Sequence, residues 1–409
     1  MADEQLTAGT PTRARWRTLP AALRIGILYL AARVVTTGFL VAAAAMSGPA
    51  SRFGENATIA DLVLGWDSQW YWFVAVNGYP ADLPLTETGM VAENQWAFMP
   101  VYAYLANIVG LPFGAWGFGA VVISLVAGYF ACLVLYRLLR ERQDVGAATW
   151  ATVFFAAGPL AALFQVGYAE SLFLLWLMLS LLCVLRRRYG WLYLLIPLMG
   201  YTRPGVLAFA LFLALFGVWR WLSRRREPLD AREIVHIVAL GLLAAVVGFS
   251  WQVIAGIVTG DAGAYLATEL AWRRNWIADA SGAFIPFDGW IQAAGFWFGS
   301  WGLGAVTGYV VLAASVIAVA AVLIFEPHVK RVGVELRLWS AAYLVYLLAV
   351  FFPQSSIFRL LLPLSPLWGA VAAPKSPVYR FSVLAACLLG QWWWIHGMYA
   401  LGNTYWQIP

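Results

Sequence analysis

The stretch IGILYLAARVVTTGFLVAAAAM, Ile25–Met46, carries one charge, Arg33, in an otherwise apolar run. A helix needs about 20 such residues to cross the hydrocarbon core of a bilayer. The pattern recurs at Trp116–Leu135, Ala147–Phe164, Tyr168–Leu185, Trp191–Tyr201, Pro204–Trp221, Ile234–Val258, Gly299–Phe325, Leu338–Phe352, Ile357–Ala373 and Phe381–Leu401. These runs predict an all-α polytopic membrane protein with about eleven spans. The spans are interleaved along the whole chain, so residues 1–409 read as one domain. The composition is 62% hydrophobic and 11% charged, where a soluble domain is roughly a quarter charged. Trp191–Tyr201 is too short to cross alone, and Pro197 and Pro204 flank its end, so it is expected to face protein or a water-filled cavity. Arg33, inside the first span, is expected to be a structural ion-pair partner.

Charge sets the orientation. With the N-terminus in the cytoplasm, twenty of the twenty-six basic residues fall inside, in short clusters such as Arg186–Arg188 and Arg224–Arg226. Five fall outside: Arg52, Arg203, Arg273, Arg274 and Arg359. This is the bias of a protein inserted by the positive-inside rule. It makes residues 1–24 a cytoplasmic segment, with no cleavable signal expected, and residues 47–99 and 259–298 two long extracytoplasmic loops. The net charge of +6 comes from clusters between spans, so no nucleic-acid partner is expected. Twenty-four arginines against two lysines, in a chain rich in Ala and Gly, is the usage of a high-GC bacterial genome, and the plasma membrane is the expected location. Cys132, Cys183 and Cys387 are odd in number and lie in apolar stretches, so neither a disulfide nor a metal site is expected.

Acidic residues sort the other way. Eleven fall outside: Glu55, Asp61, Asp67, Asp82, Glu87, Glu93, Glu170, Asp261, Glu269, Asp279 and Asp288. Chemistry is therefore expected at the extracytoplasmic face. Asp67 stands out, in Trp66-Asp67-Ser68-Gln69-Trp70-Tyr71-Trp72. It reads either as the N-cap of a short amphipathic helix, with Trp66, Trp70 and Phe73 resting on the bilayer, or as a chemical centre; both can hold, since a helix N-terminus keeps a carboxylate ionised. Glu93 reads as a loop acid or a ligand to substrate. Glu170 opens a long apolar helix, where the dipole favours it, yet an acid at the edge of the hydrocarbon is costly unless paired or facing a cavity. Arg203 and Arg359 sit at span boundaries, either as snorkelling side chains or as phosphate partners. The second loop mixes aromatics with charge in Trp272-Arg273-Arg274-Asn275-Trp276. Phe98–Phe113 is apolar but broken by Pro100, Gly110 and Pro112, as in a re-entrant or interfacial helix. His396 reads as an interfacial packing residue.

Four stretches in order resemble one family. They are Trp66-Asp67 followed by aromatics and Ala75…Gly78-Tyr79; Glu93-x-x-Trp96-Ala97-Phe98-x-Pro100; Gly158-Pro159…Phe164…Tyr168-x-Glu170-Ser171-Leu172-Phe173; and Arg203-x-Gly205. Together they resemble the PIG-V-type mannosyltransferases, polytopic enzymes of the GT-C class that use lipid-phosphate sugars and add the second mannose of the GPI anchor in eukaryotes. The resemblance covers residues 66–205. The family pattern places a histidine after each of the first two acids, where this chain has Gln69-Trp70 and Asn94, and this leaves the acceptor open.

The resemblance implies a GT-C-type bundle with interfacial helices in the first extracytoplasmic loop. It implies an inverting transfer of a sugar, mannose by analogy, from a polyprenyl-phosphate donor to a lipid, glycan or protein acceptor, with no metal or other cofactor. Asp67 would be the general base. Arg203 and Arg359, with Arg273 or Arg274, would meet the phosphate; Glu93 and Glu170 would orient sugar hydroxyls or pair with those arginines; Trp66 would contact substrate. Two rivals share the span count. A polyprenyl-linked sugar flippase would show inverted repeats and charges near the middle of several spans, whereas only Arg33 lies clearly inside one. A non-catalytic GT-C-like scaffold subunit would have no need of Asp67, Glu93 and Glu170.

Overall fold

The computed structural model describes residues 18–274, 284–351, 356–402 and 409. Arg13, Arg15 and Arg17 of the N-terminal segment, and Asn275, Trp276 and Asp279 of the second loop, lie outside the described residues. Among the described residues the chain is all-α, with one isolated bridge between Leu85 and Val91.

Each expected span falls on helical structure. Among the described residues five helices are long and apolar enough to cross a membrane: α1 (Ala21–Ala45), α5 (Trp116–Arg140), α9 (Val206–Ser223), α10 (Ala231–Thr259) and α13 (Ala305–Phe325). Between α1 and α5 lie the short helices α2 (Ile59–Val63), α3 (Asp67–Asn77) and α4 (Pro100–Gly110). α6 (Val145–Ala156), α7 (Glu170–Leu185) and α8 (Leu192–Gly200) follow α5, and α11 (Ala264–Arg274) and α12 (Asp288–Ser300) follow α10. α14 (Pro327–Arg331), α15 (Val334–Val350), α16 (Ile357–Leu360), α17 (Trp368–Val371) and α18 (Pro377–Ile395) complete the chain. Buried Ala, Leu and Cys side chains of α5 pack it most extensively against α4 and α7, while α10 and α15 pack on α9. Outward faces are apolar: Val34, Leu242, Ile257, Val306 and Ile317 are all exposed. So much exposed apolar surface is stable only against lipid or a partner.

Three expected spans are corrected, two of them by proline, which lacks the amide proton a helix interior needs. Ala147–Phe164 is not one helix. α6, capped by the Asp144 carboxylate accepting from the Ala147 amide at 3.0 Å, stops at Ala156 before Gly158-Pro159, and a 3-10 turn at Ala161–Phe164 follows. Ile357–Ala373 is likewise broken at Pro363 and Pro366 into α16, a 3-10 turn and α17. In Gly299–Phe325 the helix begins at Ala305; Gly299 and Ser300 belong to α12, and residues 301–304 form the turn that folds α12 back on α13. The two approach so closely at Gly308 that a Cβ there would stand 2.4 Å from the Ala294 carbonyl oxygen.

Among the described residues Arg33 has no ion-pair partner. Its guanidinium donates to the carbonyl oxygens of Ala156 and Ala161 and lies over the rings of Tyr29 and Phe164. The broken α6 leaves carbonyls without intrahelical donors in an apolar setting, and a cation at a helix C-terminus satisfies them while complementing the dipole. Arg33 therefore pins the turn that leads into Tyr168 and Glu170.

Candidate active site

Asp67 is not the N-cap of α3. Trp66 occupies that place with φ 53°, and Asp67 opens the first turn. A tryptophan in the left-handed region is uncommon and costs energy. Here it is fixed between the Arg52 guanidinium, 4.6 Å from its ring, and the edge of Phe53. Trp66, Trp70 and Phe73 line a partly open cavity of about 830 Å³.

The start of α3 is stitched to the segment before α7. The Gly167 amide donates to the Val63 carbonyl at 2.8 Å, and a Cβ on Gly167 would lie 2.3 Å from the Ser68 hydroxyl. Only glycine permits that approach, which brings Asp67 and Glu170 to one place. α16 supplies Arg359, whose Nη1 donates to Asp67 Oδ2 at 2.5 Å and whose Nε lies 3.3 Å from Glu170 Oε1. Arg203, just before α9, donates to the same Glu170 oxygen. The result is a chain, Asp67–Arg359–Glu170–Arg203, drawn from four distant parts of the sequence, with the Arg359 guanidinium 5.5 Å above the Tyr168 ring. Burial pushes the Asp67 carboxyl above the ordinary carboxylate range; the Arg359 charge opposes this and the nearby Glu170 adds to it.

All but one of the site residues expected from sequence border this cavity. Asp67, Glu170, Arg203 and Arg359 form the chain; Trp66, Glu93 and Arg273 line the same space. Arg273 is held by the Gln292 side-chain oxygen at 2.5 Å and by Asp288 at 3.5 Å. Arg274 is the exception. It turns away and donates to the Val91 carbonyl, because adjacent residues on a helix face different directions. It belongs to the seam between the two loops, with Asn94, which donates to the Thr268 hydroxyl at 2.9 Å. Of the arginines expected to be isolated, Arg203, Arg273 and Arg359 are thus paired with acids.

The rest of the cavity wall is apolar and aromatic. Val206 and Leu207 of α9, Val247 of α10, and Leu347 and Val350 of α15 line one side. Trp70 stacks on Phe98 with ring centroids 5.8 Å apart, and Trp272 meets both edge-on. Sequence reasoning missed Glu269, which also lines the cavity. Burial pushes its carboxyl up to about 7, against a hydrogen bond from Tyr265. The signal was spacing. Tyr265, Glu269 and Arg273 recur every four residues on one face of α11, a helix hidden in what reads as a loop. Among the described residues no cluster of three or more His, Cys, Asp or Glu side chains is placed to hold a metal.

No family model and no curated protein matches the chain. Among solved structures, the archaeal oligosaccharyltransferase AglB from Archaeoglobus fulgidus, in complex with an inhibitory peptide and a dolichol-phosphate, aligns with 91% of this chain and 55% of its own length, at 13% identity and a TM-score of 0.43. A second structure of the A. fulgidus oligosaccharyltransferase, tethered with an acceptor peptide, aligns with 92% of this chain and 56% of its own, at 14% identity and the same TM-score. The chain thus spans a little over half the length of these proteins, and similarity at this level assigns no activity.

Proposed function

We propose that the cavity transfers a sugar from a polyprenyl-phosphate donor to a hydroxyl-bearing acceptor. One observation carries this reading: a single cavity of about 830 Å³ in an all-α membrane protein joins a paired carboxylate–guanidinium chain to an apolar wall. Such a space fits an amphiphile with an anionic head and a hydrocarbon tail. The motif resemblance over residues 66–205 supports a sugar as the transferred group and mannose as its identity.

In this reading the donor phosphate takes donors from Arg203 and Arg359, whose planar forks suit phosphate oxygens. Turning Arg359 toward the phosphate loosens its bond to Asp67. The freed Asp67 carboxylate accepts the acceptor hydroxyl proton. The acceptor oxygen attacks the anomeric carbon from the face opposite the phosphate, the carbon–oxygen bond to phosphate breaks, and prenyl phosphate leaves with the electron pair. Configuration at the anomeric carbon inverts. The raised Asp67 carboxyl makes it a better base than an exposed aspartate. Glu170 stays between the two arginines and holds both in reach. The charge distribution of the sequence supports an extracytoplasmic face for this chemistry.

The test is sugar transfer from a labelled polyprenyl-phosphate sugar by the purified protein and by Asp67→Asn. The variant should lose transfer while still binding polyprenyl phosphate. Near-wild-type turnover would remove Asp67 from the base role, and no sugar release by the wild type with any such donor would reject the reading.

A further inference from the structure

Glu269 has no part in the chain of ion pairs. Among the described residues no arginine, lysine or histidine lies within ion-pair distance of it. Its neighbours are Tyr265, which hydrogen-bonds it, and Tyr346, which lines the same cavity from α15. Trp272, three residues on along α11, brings its ring edge to the Trp70–Phe98 stack. The neutral side chain Gln252 completes the lining nearby on α10. A cavity acid with no cation beside it gains nothing from an anionic group. What it shares with two phenols and a primary amide is the capacity to donate and accept hydrogen bonds at once. Flat aromatic faces beside it offer apolar contact to a ring with little lost entropy.

We infer that Glu269, with Tyr265 and the Trp70–Trp272 aromatic wall, forms a sugar-ring subsite separate from the phosphate end of the cavity, Glu269 bridging hydroxyls of the ring. The subsite rests on the glycosyl-transfer reading only for which ring it holds, that of the donor or that of the acceptor. The shared chemistry is a hydroxylated six-membered ring. Burial, which pushes the carboxyl up to about 7, suits the role: the protonated form can donate to one ring oxygen while its carbonyl accepts from another hydroxyl.

The test uses the full chain in lipid nanodiscs and follows tryptophan fluorescence on titration with methyl α-mannoside, other methyl glycosides and, separately, polyprenyl phosphate. Glu269→Leu should weaken glycoside binding at least tenfold, Glu269→Gln should stay within about threefold of wild type, and both should bind polyprenyl phosphate as wild type does. Glycoside affinity unchanged in Glu269→Leu overturns the subsite, as does an equal loss of polyprenyl phosphate binding, which would mark a general change in the cavity. Competition between the glycoside and a full polyprenyl-phosphate sugar assigns the ring to the donor; simultaneous binding assigns it to the acceptor. Sugar release by the wild type separates the two claims. Glu269-dependent glycoside binding in a wild type that releases no sugar from any donor sinks the transfer reading and leaves the subsite. Sugar transfer by a protein whose glycoside binding ignores Glu269 does the reverse.

Discussion

The two ends of α7 carry the same kinds of charge and put them to opposite uses. At its N-terminus, Glu170 holds Arg203 and Arg359 beside the cavity. Past its C-terminus, about 24 Å away along the axis, Arg187 meets Glu233 of α10 at 2.8 Å and Glu227 at 2.9 Å. Arg220 of α9, fully buried, reaches the same two acids and the Pro228 carbonyl. The Tyr189 hydroxyl donates to Glu233. This second cluster is closed on itself, its donors and acceptors spent on one another, with Arg187 and Glu227 half-exposed and no member lining the cavity, and it ties α7, α9 and α10 together. The first is open. Its members border a space of about 830 Å³, and Arg359 is shared between two carboxylates. Ion pairs alone therefore do not mark a site; ion pairs that border a cavity do.

The sharpest way to break the contrast is to neutralise one acid in each cluster. Asp67→Asn should lower sugar transfer at least about a hundredfold, the usual scale of a lost general base, with little change in unfolding temperature. Glu233→Gln should leave transfer per folded molecule within about twofold but cost about 2 kcal/mol of stability, because Glu233 accepts from Arg220, Arg187 and Tyr189 at once and its loss leaves buried Arg220 only the half-exposed Glu227 as an acid partner. Thermal unfolding in detergent and a transfer assay read both. If Glu233→Gln loses transfer as completely as Asp67→Asn while staying folded, the two ends are not functionally distinct.

Arg359 offers the next largest effect. It stands at the centre of the open cluster, so Arg359→Lys keeps the charge but gives up the fork that reaches Asp67 and Glu170 together. Transfer should fall about tenfold or more, with weaker binding of polyprenyl phosphate, while Arg186→Lys, in a solvent-exposed pair with Glu141, should change neither. Unaltered phosphate binding in Arg359→Lys would remove Arg359 from the phosphate role.

What the sequence could tell followed from local pattern. Spans show as apolar runs, and Asp67, Glu170, Arg203 and Arg359 show as charges at their borders. Their meeting does not show, because it depends on the Gly167–Ser68 contact and on the break at Pro363 and Pro366 that sets Arg359 in a one-turn helix. Arg33 was misread because its partners are carbonyls freed by the stop at Ala156, and free carbonyls have no letter in a sequence. Arg273 and Arg274 looked alike as neighbours until α11 gave them different faces. Arg273→Ala is accordingly expected to lower transfer about threefold to tenfold, and Arg274→Ala less than twofold; equal effects would mean that the loop seam matters as much as the cavity wall.

The smallest expected effect concerns Glu269, the cavity acid without a cation. Its carboxyl titrates near 7 in the folded chain, against an ordinary value of 4.5. Between those values the folded protein keeps a proton that the unfolded chain has released. The native state then binds more protons, so stability falls as pH rises through this window and levels off above about 7. Asp67, raised in the same direction, adds a slope of the same sign, so the difference between wild type and Glu269→Gln is the quantity to measure. The variant carries no titrating proton there and should gain on wild type between pH 5 and pH 7.5 by on the order of 1 kcal/mol, about 2 °C in unfolding temperature for a chain of this size. Parallel profiles for the two proteins would show that Glu269 is ionised well below pH 7, and hence that a cation or water meets it in the cavity as arginines meet Glu233 at the closed end.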